Sequence, residues 1–107
     1  KAYIKAFKRD DVTRALHQVE GLSGASFSEV LGFGRSKADS SGYAPNNDPS
    51  GFVHHMKVEV VCEDDLVDTI VAAIHRAAHT GRRGDGCIFV SDVDRKLRIQ
   101  EEPDYGS

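Results

Sequence analysis

The sequence predicts an α+β domain in which two strand–helix–strand units share one antiparallel sheet, with both helices on one face. Three observations lead to this expectation. Several stretches alternate apolar and polar residues, which is the period of a strand, and two others place apolar residues at helical spacing. A long segment with neither period separates the two units. The order β-α-β, gap, β-α-β is the ferredoxin-like βαββαβ pattern.

In the first unit, residues 2–7 alternate and contain Tyr, Ile and Phe, which predicts a strand. Apolar residues then fall at helical spacing within residues 9–20, with aspartates at the start as caps and Gly21 to end the helix. Residues 25–33 alternate again and predict the second strand.

In the second unit, residues 57–62 predict a third strand. Residues 63–81 predict a long helix, because three acids stand in its first turn and an apolar stripe follows. Residues 87–93 and 96–100 predict a final strand pair or one bent strand. Residues 101–107 form a loose tail.

The gap between the units, residues 34–55, is rich in Gly, Pro, Ser and Asn and has no period. Loops longer than about 15 residues are uncommon in compact domains and are usually functional or disordered. Because this loop joins two strands that are expected to pair, it must project as a long arm.

Length and composition restrict the function further. A chain of 107 residues predicts one domain, and a net charge of −3 with interspersed signs does not favour a nucleic-acid or membrane-surface partner. No apolar run approaches the length of about 20 residues that spans a bilayer, so we expect no membrane-embedded segment. The two cysteines, Cys62 and Cys87, lack metal-type spacing, which favours free thiols in a reducing cytoplasmic setting.

The segment "TGRRGDGCIFV", residues 80–90, combines glycines with Arg82 and Arg83. It allows two interpretations. Glycines mark turns, and the stretch is then a tight, basic turn. Alternatively, bare backbone amides and arginines form a cradle for phosphate. No Walker pattern is present, and no G-x-G-x-x-G opens a helix.

The histidines also allow two interpretations. His75 and His79 stand four residues apart on the second helix, and His54 and His55 end the arm; such spacing can chelate a transition metal. The simpler interpretation is that histidines near a helix C-terminus favour the helix dipole when charged, since no cysteine or carboxylate completes a tetrahedral set. Neither the paired acids nor the serines form a catalytic arrangement, so we expect no enzyme and no catalytic residues.

Four stretches together resemble the PII signal-transduction family of the GlnB/GlnK type: "AFKRDDVTRAL", "SEVLGFGR", "KVEVVCEDDLVDTIVAAI" and "TGRRGDGCIFV" with the "DV", "R" and "RI" that follow. They cover nearly the whole chain in order. The resemblance implies a ferredoxin-like subunit in a homotrimer that binds ADP, AMP or ATP as effectors between subunits. It also implies a sensor that regulates a transporter or metabolic enzyme through the arm, called the T-loop (about 34–55).

The resemblance assigns nucleotide-binding roles residue by residue. The family's B-loop corresponds to residues 80–87, and the first of two phosphate-contacting arginines from the adjacent subunit corresponds to Arg98. The complete set of implied nucleotide-binding positions is Ser26, Gly34, Arg35, Ser36, Glu59, Val61, Arg82, Arg83, Gly84, Asp85, Gly86, Cys87, Arg98 and Gln100.

This chain departs from the family pattern at positions that carry charge. Cys87 and Gln100 replace a lysine and an arginine, which should weaken a triphosphate most, so ADP or AMP is favoured over ATP. Ser36 and His55 replace residues that serve Mg²⁺ and 2-oxoglutarate, and Asp48 replaces the tyrosine that is uridylylated in some relatives. The chain therefore resembles a divergent member, in the manner of branches associated with inorganic carbon or carboxysomes, with His54 and His55 as candidate contacts for bicarbonate.

Two alternatives remain open at this point. One is a metal-responsive trimer that uses the four histidines named above, although the residue pattern itself assigns no metal ligands. The other is a slow nucleotide hydrolase, for which no general base is evident.

Overall fold

The computed structural model describes residues 1–33 and 52–102. Residues 34–51 of the predicted T-loop, which include Gly34, Arg35 and Ser36, lie outside the described residues. Residues 103–107 of the predicted tail also lie outside them. None of the helices in the described ranges is long or apolar enough to cross a membrane.

The described residues form one antiparallel sheet whose strands follow the order β2-β3-β1-β4. Ala2 of the central strand lies opposite Val58 on one side and Ile88 on the other. The predicted ferredoxin-like fold is confirmed. The four strands are β1 (Ala2–Lys5), β2 (Ser26–Gly32), β3 (Val53–Glu59) and β4 (Gly86–Ile88).

Two helices, α1 (Arg9–His17) and α2 (Val67–Ala78), pack against the same face of the sheet. Each follows one turn of 3₁₀ helix, at Ala6–Lys8 and Asp64–Leu66. Both helices are shorter than predicted. The stretch 9–20 includes residues that follow the last turn of α1, and the stretch 63–81 includes the 3₁₀ turn before α2 and the residues after it. The chain then leaves α1 through Gly21, whose φ of 86° suits glycine.

The core lies between the sheet and the helices. Successive residues of a strand point to opposite faces, so Ala2 and Ile4 face the helices while Tyr3 and Lys5 face away. A fully buried aliphatic side chain stabilises the fold by about 1.5–3 kcal/mol. The buried residues are Ala2, Ile4, Val12, Leu16, Met56, Val58, Ile70, Ile74 and Ala78.

The third strand corrects the sequence prediction. It begins at Val53 rather than residue 57 and ends at Glu59 rather than residue 62. Pairing with β2 decides both limits, since Gly32 lies opposite Val53 and Ser26 opposite Glu59. The last three residues of the predicted T-loop, 53–55, are therefore part of the sheet.

The final strand is also shorter than predicted. Only Gly86–Ile88 form β4, and residues 96–100 form neither a second strand nor the far end of a bent strand. A strand needs a hydrogen-bonding neighbour, and within one copy this segment pairs with neither outer edge of the sheet, β2 or β4. Along the segment that follows β4, large apolar side chains stay exposed: Phe89, Val90, Val93, Leu97 and Ile99.

Candidate functional site

The loop between α2 and β4, residues 80–86, is shaped by one carboxylate. Oδ2 of Asp85 accepts hydrogen bonds from the backbone amides of Thr80 at 2.8 Å and Gly81 at 2.9 Å. The Thr80 hydroxyl donates to Oδ1 and accepts from the amide of Arg82 at 3.1 Å. Loop 80–86 is thus closed from within, by bonds that fix its backbone rather than its outward-facing side chains.

Lys5, at the end of β1, neutralises this carboxylate. Its Nζ lies 3.1 Å from Oδ1 of Asp85 and donates to the Thr80 hydroxyl oxygen at 3.2 Å, and both charged side chains are about four-fifths buried, with 20% and 22% exposed. The Thr80 side chain, and then its backbone amide, hold the pKa of Asp85 well below its usual range, with Lys5 and Gly81 contributing further. Asp85 is therefore ionised at neutral pH and paired.

Gly86, where the loop enters β4, can carry no side chain. Its φ is 101°, in a region that favours glycine, and a Cβ built there would stand 1.7 Å from the carbonyl oxygen of Tyr3. Gly86 lies opposite Ile4 in the β1–β4 pairing, so this close approach is what joins the loop to the sheet.

The outer surface of loop 80–86 is basic. Arg82 and Arg83 are both exposed. The His55 ring donates from Nε2 to the Gly84 carbonyl at 3.4 Å, which fixes the loop to β3 as well. Because Lys5 already balances Asp85, the exposed guanidinium of Arg82 is not needed to neutralise that carboxylate, and a positive charge at the loop surface suits an anionic ligand.

A second candidate surface is a shallow cleft of about 430 Å³ at the opposite end of the sheet. It brings together Ser26, Glu59, Val61 and Arg98 from the predicted set. The hydrogen bond from Lys57, 3.1 Å from Glu59 Oε1, lowers the pKa of Glu59 below its usual value. Remaining lining residues of the cleft are Ser23, Gly24, Ala25 and Lys96.

Strand register separates the cleft from loop 80–86. The loop lies where Lys5 of β1 meets His55 of β3, and the cleft lies at Glu59, four residues farther along β3. At the rise of a strand, four residues span about 13 Å. The cleft also borders β2, whereas the loop borders β4 at the other edge of the sheet. One copy of the chain therefore carries two separate groups of candidate binding residues.

Comparison with known proteins identifies the family to which this chain belongs. Residues 1–103 match the family of nitrogen regulatory protein P-II. The chain is 46% identical over 100 residues to nitrogen regulatory protein P-II of Azospirillum brasilense, covering 94% of this chain and 88% of that one. It is 48% identical over 105 residues to nitrogen regulatory protein P-II 1 of Escherichia coli K12, covering 96% and 93%. The chain belongs to the P-II family.

As a P-II family member the chain is a signalling protein in nitrogen regulation and not an enzyme. This confirms the predicted family and the predicted absence of catalysis, and it disfavours the hydrolase alternative. Among the described residues, no three His, Cys, Asp or Glu side chains converge as a metal site.

Two further predicted residues of the P-II pattern, Cys87 and Gln100, lie on the surface. Cys87 is exposed and lies opposite Tyr3 in β4. Gln100 is exposed in a turn after Arg98, closed by the Glu101 amide donating to the Arg98 carbonyl at 3.0 Å. Neither lies in the cleft of one copy.

Sequence reasoning missed Lys96, and it did not anticipate the structural role of Asp85. Lys96 reaches the cleft together with Arg98, and the only signal was a basic residue two positions before a predicted contact. Asp85 was grouped with ligand-contacting residues, but its oxygens are occupied by the loop's own donors and by Lys5. Local composition cannot distinguish these two roles of a carboxylate.

Proposed function

We propose that this P-II protein binds adenine nucleotides in clefts between the subunits of a homotrimer and regulates a partner protein through its T-loop. The observation that carries the proposal is the separation of the candidate residues into two groups about 13 Å apart along β3. Loop 80–86 of one copy and the cleft with Arg98 of another copy together form the nucleotide site, and neither group is sufficient alone.

Assembly is supported by the segment after β4. Its side chains include Ile99, which is 100% exposed, and Phe89 and Val90, which are more than half exposed. A run of exposed apolar side chains in a small domain marks an interaction surface. A second copy can cover these side chains and supply the missing neighbour for the segment that the sequence predicted as a strand.

The nucleotide preference follows from charge. Loop 80–86 retains Arg82 and Arg83, and the cleft contributes Arg98 and Lys96. Cys87 and Gln100 carry no positive charge where the family pattern has two cations. A charge-assisted hydrogen bond contributes about 1.5–3 kcal/mol. The loss of these two cations weakens the binding of ATP most, so we propose that ADP or AMP binds at least as tightly as ATP.

We further propose that bicarbonate, rather than 2-oxoglutarate, is the small-molecule co-effector. The His55 ring contacts the Gly84 carbonyl of loop 80–86, and the same loop carries the exposed Arg82 and Arg83, which supports a site for a small anion on this side of the loop. A dicarboxylate would need the metal-binding and lysine side chains that Ser36 and His55 replace.

Isothermal calorimetry with ADP, AMP, ATP, bicarbonate and 2-oxoglutarate tests the proposal. We expect binding of ADP or AMP, equal or weaker binding of ATP, and no 2-oxoglutarate binding below about 1 mM, a free energy of about −4 kcal/mol. Arg98→Ala should weaken ADP at least about tenfold, a change of ~1.4 kcal/mol. Cys87→Lys should strengthen ATP selectively.

Arg95→Ala is the matched control, since Arg95 is exposed three residues before Arg98 and does not line the cleft. It should leave ADP affinity unchanged. ATP binding the unmodified protein about tenfold more tightly than ADP would contradict the charge argument. Equal effects of the two arginine substitutions would contradict the cleft as part of the site.

A further inference from the structure

Two exposed histidines stand together at the C-terminal end of α2. The His75 and His79 ring centroids are 5.4 Å apart with the rings inclined by 26°. The His79 amide still donates to the His75 carbonyl at 3.0 Å, so the backbone keeps the one-turn separation although α2 ends at Ala78. Residues four apart on a helix share a face, which holds both rings over one patch of surface.

Asp85 lies beside one of these rings. Nδ1 of His79 is 3.8 Å from Oδ2 of Asp85, longer than a hydrogen bond but close enough for the carboxylate to attract the ring N–H. In metal sites, a ligating histidine commonly donates its second ring N–H to a carboxylate, which fixes the tautomer and raises the basicity of the metal-binding nitrogen. The carboxylate that sequence spacing could not supply is thus present beside His79.

The approach to the other nitrogen of His79 is open. Gly81 lies next to the ring, and a Cβ built on it would stand 3.8 Å from Nε2, so the glycine leaves this edge without a covering side chain. The His79 side chain is 59% exposed and His75 is also exposed. Rotation of the two rings about their side-chain bonds can therefore turn one nitrogen from each toward a common ion.

We propose that His75 and His79 form a two-histidine site for a divalent transition metal, with Asp85 as the positioning residue for His79. Two imidazoles with solvent in the other positions suit Cu²⁺ or Ni²⁺, whereas structural Zn²⁺ sites take four protein ligands. Affinity should follow the general order in which Cu²⁺ exceeds both Ni²⁺ and Zn²⁺. The metal ligands, His75 and His79, lie outside the residues proposed to bind nucleotide, although Asp85 belongs to loop 80–86, which the nucleotide proposal also uses.

The competing explanation is that the two histidines only complement the dipole of α2. Charged side chains near a helix C-terminus are stabilising without any ligand. The two explanations differ in a measurable way. A chelate needs both rings, so removing either one abolishes most of the affinity, whereas a dipole effect involves no metal and changes only stability.

Calorimetric titration of the full chain with CuCl₂ and NiCl₂, without an affinity tag and in a buffer that does not chelate, tests the site. We expect one metal ion per chain, with Cu²⁺ bound more tightly than Ni²⁺. His75→Gln and His79→Gln should each weaken Cu²⁺ at least about tenfold, or ~1.4 kcal/mol. Both side chains are exposed, so the variants should keep the unfolding temperature of the parent protein within a few degrees.

His17→Gln is the matched control, because His17 is an exposed histidine at the C-terminal end of α1. Its Cu²⁺ affinity should equal that of the parent protein. The proposal is wrong if the parent protein binds neither metal at micromolar concentration, or if His17→Gln weakens binding as much as the two test variants. Loss of binding on His54→Gln alone would place the metal on β3 and overturn it as well.

Discussion

At the scale of single residues, Asp85 contributes most to the geometry of the candidate site. Its two oxygens accept hydrogen bonds from two backbone amides and a hydroxyl, and they pair with Lys5. The donors come from residues near each other in the sequence, but Lys5 comes from the other end of the chain. Because Lys5 is distant from Asp85 in the sequence, the sequence showed an aspartate in a glycine-rich loop but did not reveal its structural role.

Replacing Asp85 with Asn should lower the unfolding temperature and make the loss depend on pH. The pKa of Asp85 is depressed in the folded protein, so its contribution is fully present above the unfolded value of about 3.9 and is lost as the pH falls below it. The difference between parent and variant should stay constant from pH 8 to about 5 and shrink below about 4. Thermal unfolding followed by circular dichroism measures it.

Asp92→Asn serves as the control for this series, since Asp92 is an exposed acid on the segment after β4. Its unfolding temperature should match that of the parent at every pH. If the effect of Asp85→Asn were the same at pH 3 as at pH 7, ionisation of Asp85 would not be what stabilises loop 80–86.

At the scale of elements, β4 begins at a close approach between two backbones. It has only three residues, and Gly86 at its start lies directly against the backbone of Tyr3. A short edge strand has few hydrogen bonds to compensate for a local disturbance. The entry of the chain into β4 is therefore the most sensitive point of the sheet.

Gly86→Ala should destabilise the protein by about 1–3 kcal/mol, because its φ disfavours a Cβ and the Tyr3 carbonyl leaves no space for one. Chemical denaturation gives the free energy of unfolding. Gly32→Ala is the control, because a Cβ built at Gly32 in β2 meets no atom within 4 Å. A loss for Gly86→Ala no larger than for Gly32→Ala would show that β1 moves aside without cost.

Sequence periodicity was most informative for the helices and least informative for strands whose limits depend on pairing. The stripe of α2 is local and could be found from the sequence alone. The start of β3 could not, because His54 and His55 do not resemble strand residues but lie opposite Leu31 and Val30 of β2. The predicted strand at 96–100 is not formed within one copy, since this segment pairs with neither free edge of the sheet.

At the scale of the whole molecule, the sequence resemblance implied a site between subunits, with Arg98 from the adjacent subunit, but not how far apart the candidate residues lie within one copy. Residues near Glu59 and residues near Gly86 are distant within one copy, a fact that requires the strand register. The exposed apolar segment after β4 is the surface at which we propose that copies meet. Nucleotide binding and assembly should therefore fail together.

Ile99→Asp should convert a trimer to monomers, because it places a charge on a side chain that is 100% exposed in one copy and that assembly would bury. Light scattering should give the monomer mass, and ADP binding should disappear at the same protein concentration. Ser91→Asp adds the same charge at an exposed polar position of the same segment and should remain trimeric. A parent protein that is already monomeric at micromolar concentration would contradict the proposed assembly.

The internal closure of loop 80–86 separates its shape from its chemistry. The bonds that hold it use the backbone amides of Thr80 and Gly81, the Thr80 hydroxyl, the Gly84 carbonyl and the side chains of Lys5 and His55, and Arg82 contributes its backbone amide. Side chains at Arg82 and Cys87 can therefore be exchanged without rebuilding the backbone beneath them. The backbone of loop 80–86 stays in place while its exposed side chains vary. Relatives with the same fold can therefore acquire different ligand preferences through one or two substitutions at a time.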